Sequence, residues 1–179
     1  DAANLGKAIN RPTYASNNIP TETNEGLTLK NKPYFALWSY KVFSNERFDL
    51  LGNSLAILSG LATSSKAELV VEWVEKECAF MTKENADWLP RYSDFNQPGD
   101  YHNGGIWPFV TGLYIAALVA SKKYELAEQK LLALTKLVKK GKNKHLEFGF
   151  NEWYKAQTGK PMGQDWQTWS ASIYLYAAR

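Results

Sequence analysis

The sequence predicts an all-α fold of about five helices, joined alternately by short and long connections. Three observations lead there. Tyr124, Ala127, Leu131, Leu134 and Val138 recur at i, i+3, i+7, i+10 and i+14, the spacing of one face of an amphipathic helix. Pro108 opens an apolar run that reaches about Ala120, and proline suits the first helical turn because its missing N–H is not needed there. LLGNSLAILSGL, Leu50 to Leu61, is a compact apolar stretch of helical length.

The elements follow in order. Residues 1–32 are rich in Asn, Thr, Pro and Gly and read as a polar arm or loop. LTLKNKPYFALWSYKVF alternates around Leu27 and Leu29, then turns aromatic, as expected of a short hairpin or an extended connection. The Leu50–Leu61 helix comes next. A second helix after Ser64 and Ser65 sets Leu69, Trp73 and Lys76 against Val70, Val74 and Cys78. DWLPRYSDFNQPGDYHNGG is a long loop, and long loops inside compact domains tend to carry function. After the helices at 108–120 and 124–138, Gly141 is placed to stop the second of them. Trp166, Trp169, Ile173 and Ala177 mark a last helix.

Composition narrows the function. With 179 residues the chain is long enough for one packed domain. The net charge of +3 is too small to imply a nucleic-acid partner. Lys139, Lys140, Lys142 and Lys144 cluster at a helix end, where cations complement the helix dipole. Cys78 is the sole cysteine, so an internal disulfide is excluded. No run of about 18 apolar residues is present, and no membrane helix is expected. The first ten residues lack the apolar centre of a signal peptide. A cytoplasmic location is expected, with a periplasm as the alternative, and a start without Met suggests a piece of something longer. Aromatic residues are 14% of the chain, enough either to fill a core or to line a binding surface.

The stretch FGFNEWYKAQTGKPMGQDWQTWSA, Phe148 to Ala171, favours the second use. It sets Glu152 beside Trp153 and Tyr154, with Trp166 and Trp169 close behind. A carboxylate among flat aromatic faces suggests a cleft that holds something both polar and flat-faced. His102 has no ligand cluster around it, so a hydrogen-bonding role is expected and no metal or other cofactor. NGG at Asn103–Gly105 is too short for a phosphate loop and lacks its lysine. A plainer reading makes Asn53, Asn103 and Asp165 helix caps in a stack of α-hairpins that binds protein.

ERFDLLGN, then YHNGGIWP, then an aromatic–Glu–Trp–Tyr segment, then TGKP and QTWSA occur in an order that resembles the C-terminal half of the (α/α)6-toroid glycoside hydrolases. The alkaline/neutral invertases are the nearest likeness; processing α-glucosidases, mannosylglycerate hydrolases and debranching-type α-glucosidases carry related forms. The resemblance implies that residues 33–179 are the C-terminal half of a glycosidase catalytic domain. It implies an inverting hydrolase of an α-glucoside or sucrose-like sugar with Glu152 as general base. By the same resemblance Tyr101, His102, Asn103, Trp107, Arg47, Asp49, Trp153, Gln167 and Trp169 bind the sugar. The chain departs from invertase wording at Phe148–Asn151 and at Trp166, where invertases favour a tyrosine. Five helices are fewer than the twelve of a toroid, and the family's general acid, an Asp, comes from the half not present. Asp49, Asp87, Asp100 and Asp165 are the in-chain alternatives. The expected partners are the missing half or a second copy meeting an exposed apolar edge, with neither nucleic acid nor membrane. A non-catalytic carbohydrate-binding helical domain is the alternative function.

Overall fold

The computed structural model describes residues 12–13, 27–29, 32–40, 43–78, 99–141, 145 and 148–179. They form two compact units, residues 1–75 and 76–179. Most of the expected arm, and residues 87–98 of the expected long loop, lie outside the described residues.

In the first unit β1 (Pro12–Thr13) runs parallel to β2 (Thr28–Leu29), where Leu29 is buried. The expected hairpin is present: β3 (Trp38–Tyr40) pairs antiparallel with β4 (Phe43–Asn45). Helix α1 (Leu50–Leu58) starts at Asp49, whose carboxylate accepts the Gly52 N–H at 2.7 Å. It ends earlier than the apolar pattern suggested. Ser59 Oγ bonds the Leu55 carbonyl at 2.7 Å, and Gly60 turns into the left-handed region at φ 73°. Asn53 is not a cap. Buried inside α1, its amide accepts the Phe35 N–H at 2.9 Å and donates to the Phe35 and Asp49 carbonyls. Helix α2 (Ser64–Trp73) is capped by Thr63, whose hydroxyl accepts the Lys66 N–H. It continues as a π turn, Val74–Cys78. Ala67, Val70, Val71 and Val74 form its buried face, while Leu69 stands out in solvent. The core closes on Tyr34, Phe48 and Trp73, with ring centroids 4.4–5.0 Å apart.

The second unit holds the remaining three of the five α-helices found among the described residues. Helix α3 (Pro108–Ala120) packs on both α4 (Tyr124–Val138) and α5 (Thr168–Ala177). Tyr114, Ile115, Ala117 and Leu118 bury the centre of α3. On α4 the predicted stripe is buried at Ala127, Leu134 and Val138, but Tyr124 at its start is exposed. Gly141 closes a 3-10 turn, Lys139–Gly141, and its glycine has a different cause from the one expected. The backbone of Gly149 crosses so near that any side chain on either glycine would collide with the other segment. Helix α5 begins two residues later than Trp166, which takes a left-handed φ of 55° and so breaks the helical run. Between α4 and α5, β5 (Trp153–Tyr154) pairs antiparallel with β6 (Pro161–Met162).

Candidate active site

The site begins with a tight turn before α3. Gly99 and Gly104 lie at φ 86° and 94°, and Tyr101 is also left-handed at 43°. The Asn103 N–H donates to the Asp100 carbonyl, and the Gly105 N–H to that of Tyr101, at 2.8 and 2.9 Å. The Tyr101 carbonyl also accepts the Trp107 indole N–H at 3.1 Å. This curl gathers the rings. His102 lies parallel to Trp107 with centroids 4.8 Å apart, and Tyr101 sits 5.0 Å from Trp107 and 5.8 Å from Trp153. Asn103, in the same turn, is buried. Gly105 allows the turn to lie on Trp153, since a Cβ there would stand 3.1 Å from the indole and 2.6 Å from the Tyr101 carbonyl.

The turn is strapped to β5, the strand that directly follows Glu152. Ile106 and Tyr154 exchange two backbone hydrogen bonds, of 2.9 and 2.8 Å. The Ala156 N–H donates to Gly99, and Lys155 pairs with Asp100 at 3.2 Å. Glu152 is itself partly exposed. Its N–H donates to the Gln164 carbonyl at 2.9 Å, and its Oε2 accepts the Gln164 N–H at 3.2 Å.

The residue before Glu152 is held from three sides. Asn151 Nδ2 donates to Asp165 at 2.6 Å, its carbonyl accepts from Ser170, and its N–H meets the Tyr154 hydroxyl. Tyr154 is fully buried and donates to the Gly149 carbonyl at 2.6 Å. Burial pushes its phenol pKa up; the Asn151 N–H opposes this and the Asp165 charge adds to it. Gln167 begins α5, donates its N–H to Phe150, and uses no side-chain bond to cap the helix. Trp169 is half exposed, its ring 6.1 Å from Phe109.

The second unit thus carries Tyr101, His102, Asn103, Trp107, Glu152, Trp153, Gln167 and Trp169, eight of the residues singled out in the sequence. Arg47 and Asp49 belong to the first unit. Asp49 caps α1 there, and Arg47 is half buried with its N–H on Asn45 Oδ1. Asn103 and Asp165 are not helix caps: one lies in the turn and the other binds Asn151. Among the other in-chain acids Asp100 is paired with Lys155, and Asp87 lies outside the described residues. The sequence reading missed Asn151, Lys155, Gly163 and Gln164. Asn151 meets Asp165, Lys155 meets Asp100, and Gly163 and Gln164 meet Glu152, each at least 11 positions away, and no local pattern announces them. A groove of about 500 Å³ in the first unit is lined by Leu27, Leu37, Leu55 and Leu61 among others. Its polar side chains, Asp49, Asn53 and Ser59, are already engaged in holding α1. No group of three metal-ligating side chains is found among the described residues. None of their helices is long and apolar enough to cross a membrane.

This arrangement, helices with a carboxylate beside an aromatic turn, matches part of the (α/α)6 toroid fold. GH63 mannosylglycerate hydrolase from Thermus thermophilus, solved with glucose, superposes with a TM-score of 0.57 at 20% identity over 82% of this chain and 35% of that one. The sequence profile of the alkaline and neutral invertases matches residues 7–179, and the chain belongs to that family, a family of glycosidases. Cytosolic invertase 1 of Oryza sativa subsp. japonica is 29% identical over 73% of this chain and 25% of its own length. The probable alkaline/neutral invertase F of Arabidopsis thaliana is 28% identical over 73% and 28%. The chain therefore spans about a quarter of the length of the curated relatives it matches.

Proposed function

We propose that this chain supplies the general base and part of the sugar site of an inverting glycosidase acting on an α-glucoside or sucrose-like sugar. The observation that carries the reading is the two-bond pairing of Ile106 with Tyr154. It ties the aromatic turn to β5, which directly follows Glu152, so that a sugar held by Tyr101, His102, Trp107 and Trp153 meets a carboxylate at its edge. Asn103, Gln167 and Trp169 complete the wall. Glu152 takes a proton from water as the water attacks the anomeric carbon. The general acid, about 6.5–9.5 Å from the base in an inverting enzyme, is assigned to a part of the protein outside this chain. Asp100 and Asp165 support this, being occupied by Lys155 and Asn151. The remaining helices of the toroid are the proposed partner, and the cytoplasm the proposed location.

The test uses the longest form of the protein its gene encodes, with sucrose and maltose as probes. Glu152→Gln is expected to lower kcat by about 10²–10⁴-fold, the usual reach of a general base, with sugar binding retained. Turnover near that of the wild type would remove Glu152 from the role. Inversion is read separately by proton NMR, where an α-glucoside should release β-glucose first. Sugar binding with no turnover by the wild-type protein would favour a non-catalytic carbohydrate-binding domain instead.

A further inference from the structure

We infer that Gly163 is a positioning residue for Glu152, and that the Gly163–Gln164 turn orients its carboxylate; the inference rests on the reading of Glu152 as the base. Three observations meet at this turn. Gln164 binds Glu152 twice, its carbonyl taking the Glu152 N–H and its own N–H reaching Oε2. A single residue thus ties the Glu152 backbone to the end of its own side chain, which fixes the side-chain torsions between them. The oxygen held is Oε2, which leaves Oε1 as the oxygen assigned to the attacking water.

The third observation is Gly163 itself. It lies at φ 67°, and a Cβ there would run into Glu152 Oε2 and stand 2.8 Å from both Glu152 Cβ and Trp153 Cδ1. The left-handed conformation by itself accounts for a glycine. The contact adds a second requirement, since the backbone turn reaches its partner only because no side chain intervenes. Either the carboxylate or the turn must move when one is added. A base displaced by an ångström loses much of its effect, on the order of 10²-fold in rate, while the aromatic turn that grips the sugar stays in place.

Gly159 provides the matched control. Its φ is 65°, in the connection between β5 and β6. A Cβ there would meet the Lys140 ammonium at 2.6 Å and a Leu137 methyl at 3.1 Å, both ends of side chains that can swing away. Gly159→Ala therefore imposes the same backbone strain as Gly163→Ala without touching Glu152.

Gly163→Ala, Gly159→Ala and Glu152→Gln would be compared in the longest encoded form of the protein, on sucrose, or on maltose if that is turned over faster. Melting curves would accompany the kinetics. Gly163→Ala is expected to lower kcat by about 10- to 100-fold with KM within about twofold. Gly159→Ala is expected to leave both near wild type. Should Gly163→Ala fail to fold, Gly163→Asn tolerates the left-handed turn better and still places a Cβ on the carboxylate; the same loss of kcat is expected of it. A Gly163 variant with the kcat of Gly159→Ala, beside an inactive Glu152→Gln, would overturn the positioning role and leave the general base standing. An active Glu152→Gln would overturn both.

Discussion

Tyr154 concentrates, in one side chain, the forces that hold the candidate base in place. Its ring is fully buried and its hydroxyl is spent on the Gly149 carbonyl and the Asn151 N–H. Tyr154→Phe keeps the ring and leaves the Gly149 carbonyl without this donor. We expect a loss of about 1–3 kcal/mol, the usual consequence of leaving a buried group unsatisfied. Chemical denaturation measures it. The same residue gives a pH test. Burial raises its folded-state pKa above the unfolded value of 10.0, so the folded protein keeps the proton longer than the unfolded chain. Its stabilisation is complete below pH 10 and declines as the pH climbs through the raised value. Lys66 works the other way, since burial lowers its pKa, so the wild-type curve alone is ambiguous. The difference between wild type and Tyr154→Phe isolates the tyrosine. That difference should shrink above about pH 10, and a constant one would contradict this account. Little of this was visible in the sequence. Glu152 stood out because a carboxylate among aromatics is unusual, but Asn151, Gly163 and Gln164 matter through chain crossings that no local pattern encodes.

At the scale of elements, the helices were legible where burial follows periodicity, and their ends were not. Helices α3 and α4 carry continuous apolar faces, and both begin and end close to where the pattern places them. The ends of α1 and α5 depart because backbone conformation decides them: Gly60 and Trp166 turn left-handed. On α2 two apolar rows compete, and the structure buries the row of Val70 and Val74. Gly112 yields a prediction of the same kind. It sits inside α3, where alanine would improve helix propensity by about 1 kcal/mol. A Cβ there, however, would collide with Ile173 of α5 and lie 3.1 Å from its backbone oxygen. Overpacking of this kind costs about 1–3 kcal/mol, so Gly112→Ala should destabilise on balance. Paired with Ile173→Ala, its cost should fall, because the nearest obstacle is the deleted side chain, while the backbone contact remains. Strictly additive losses in urea unfolding would rule out the Ile173 side chain as the reason for the glycine.

For the whole molecule, the relevant fact is a helix with too much apolar surface left in water. On α5 the side chains of Leu175 and Tyr176 are 66% and 56% exposed, although the helix is apolar along most of its length. A face of this kind is normally covered by a neighbour. The chain spans about a quarter of its invertase relatives, and the remaining helices of a toroid are the neighbour we propose. A net charge of +3 offers little repulsion to prevent two copies from meeting instead. The 179-residue chain produced by itself is therefore expected to self-associate at micromolar concentration in sedimentation velocity. Leu175→Lys with Tyr176→Lys should shift it towards monomer, and the melting temperature should change little because neither side chain is part of the core. In the longest encoded form the same pair should lower stability, since the charges would now face the covering helices. Opposite effects in the short and long forms would identify this face as the seam of the toroid. A short form that stays monomeric at all concentrations, together with a long form indifferent to the two lysines, would mean that α5 faces solvent in the complete protein.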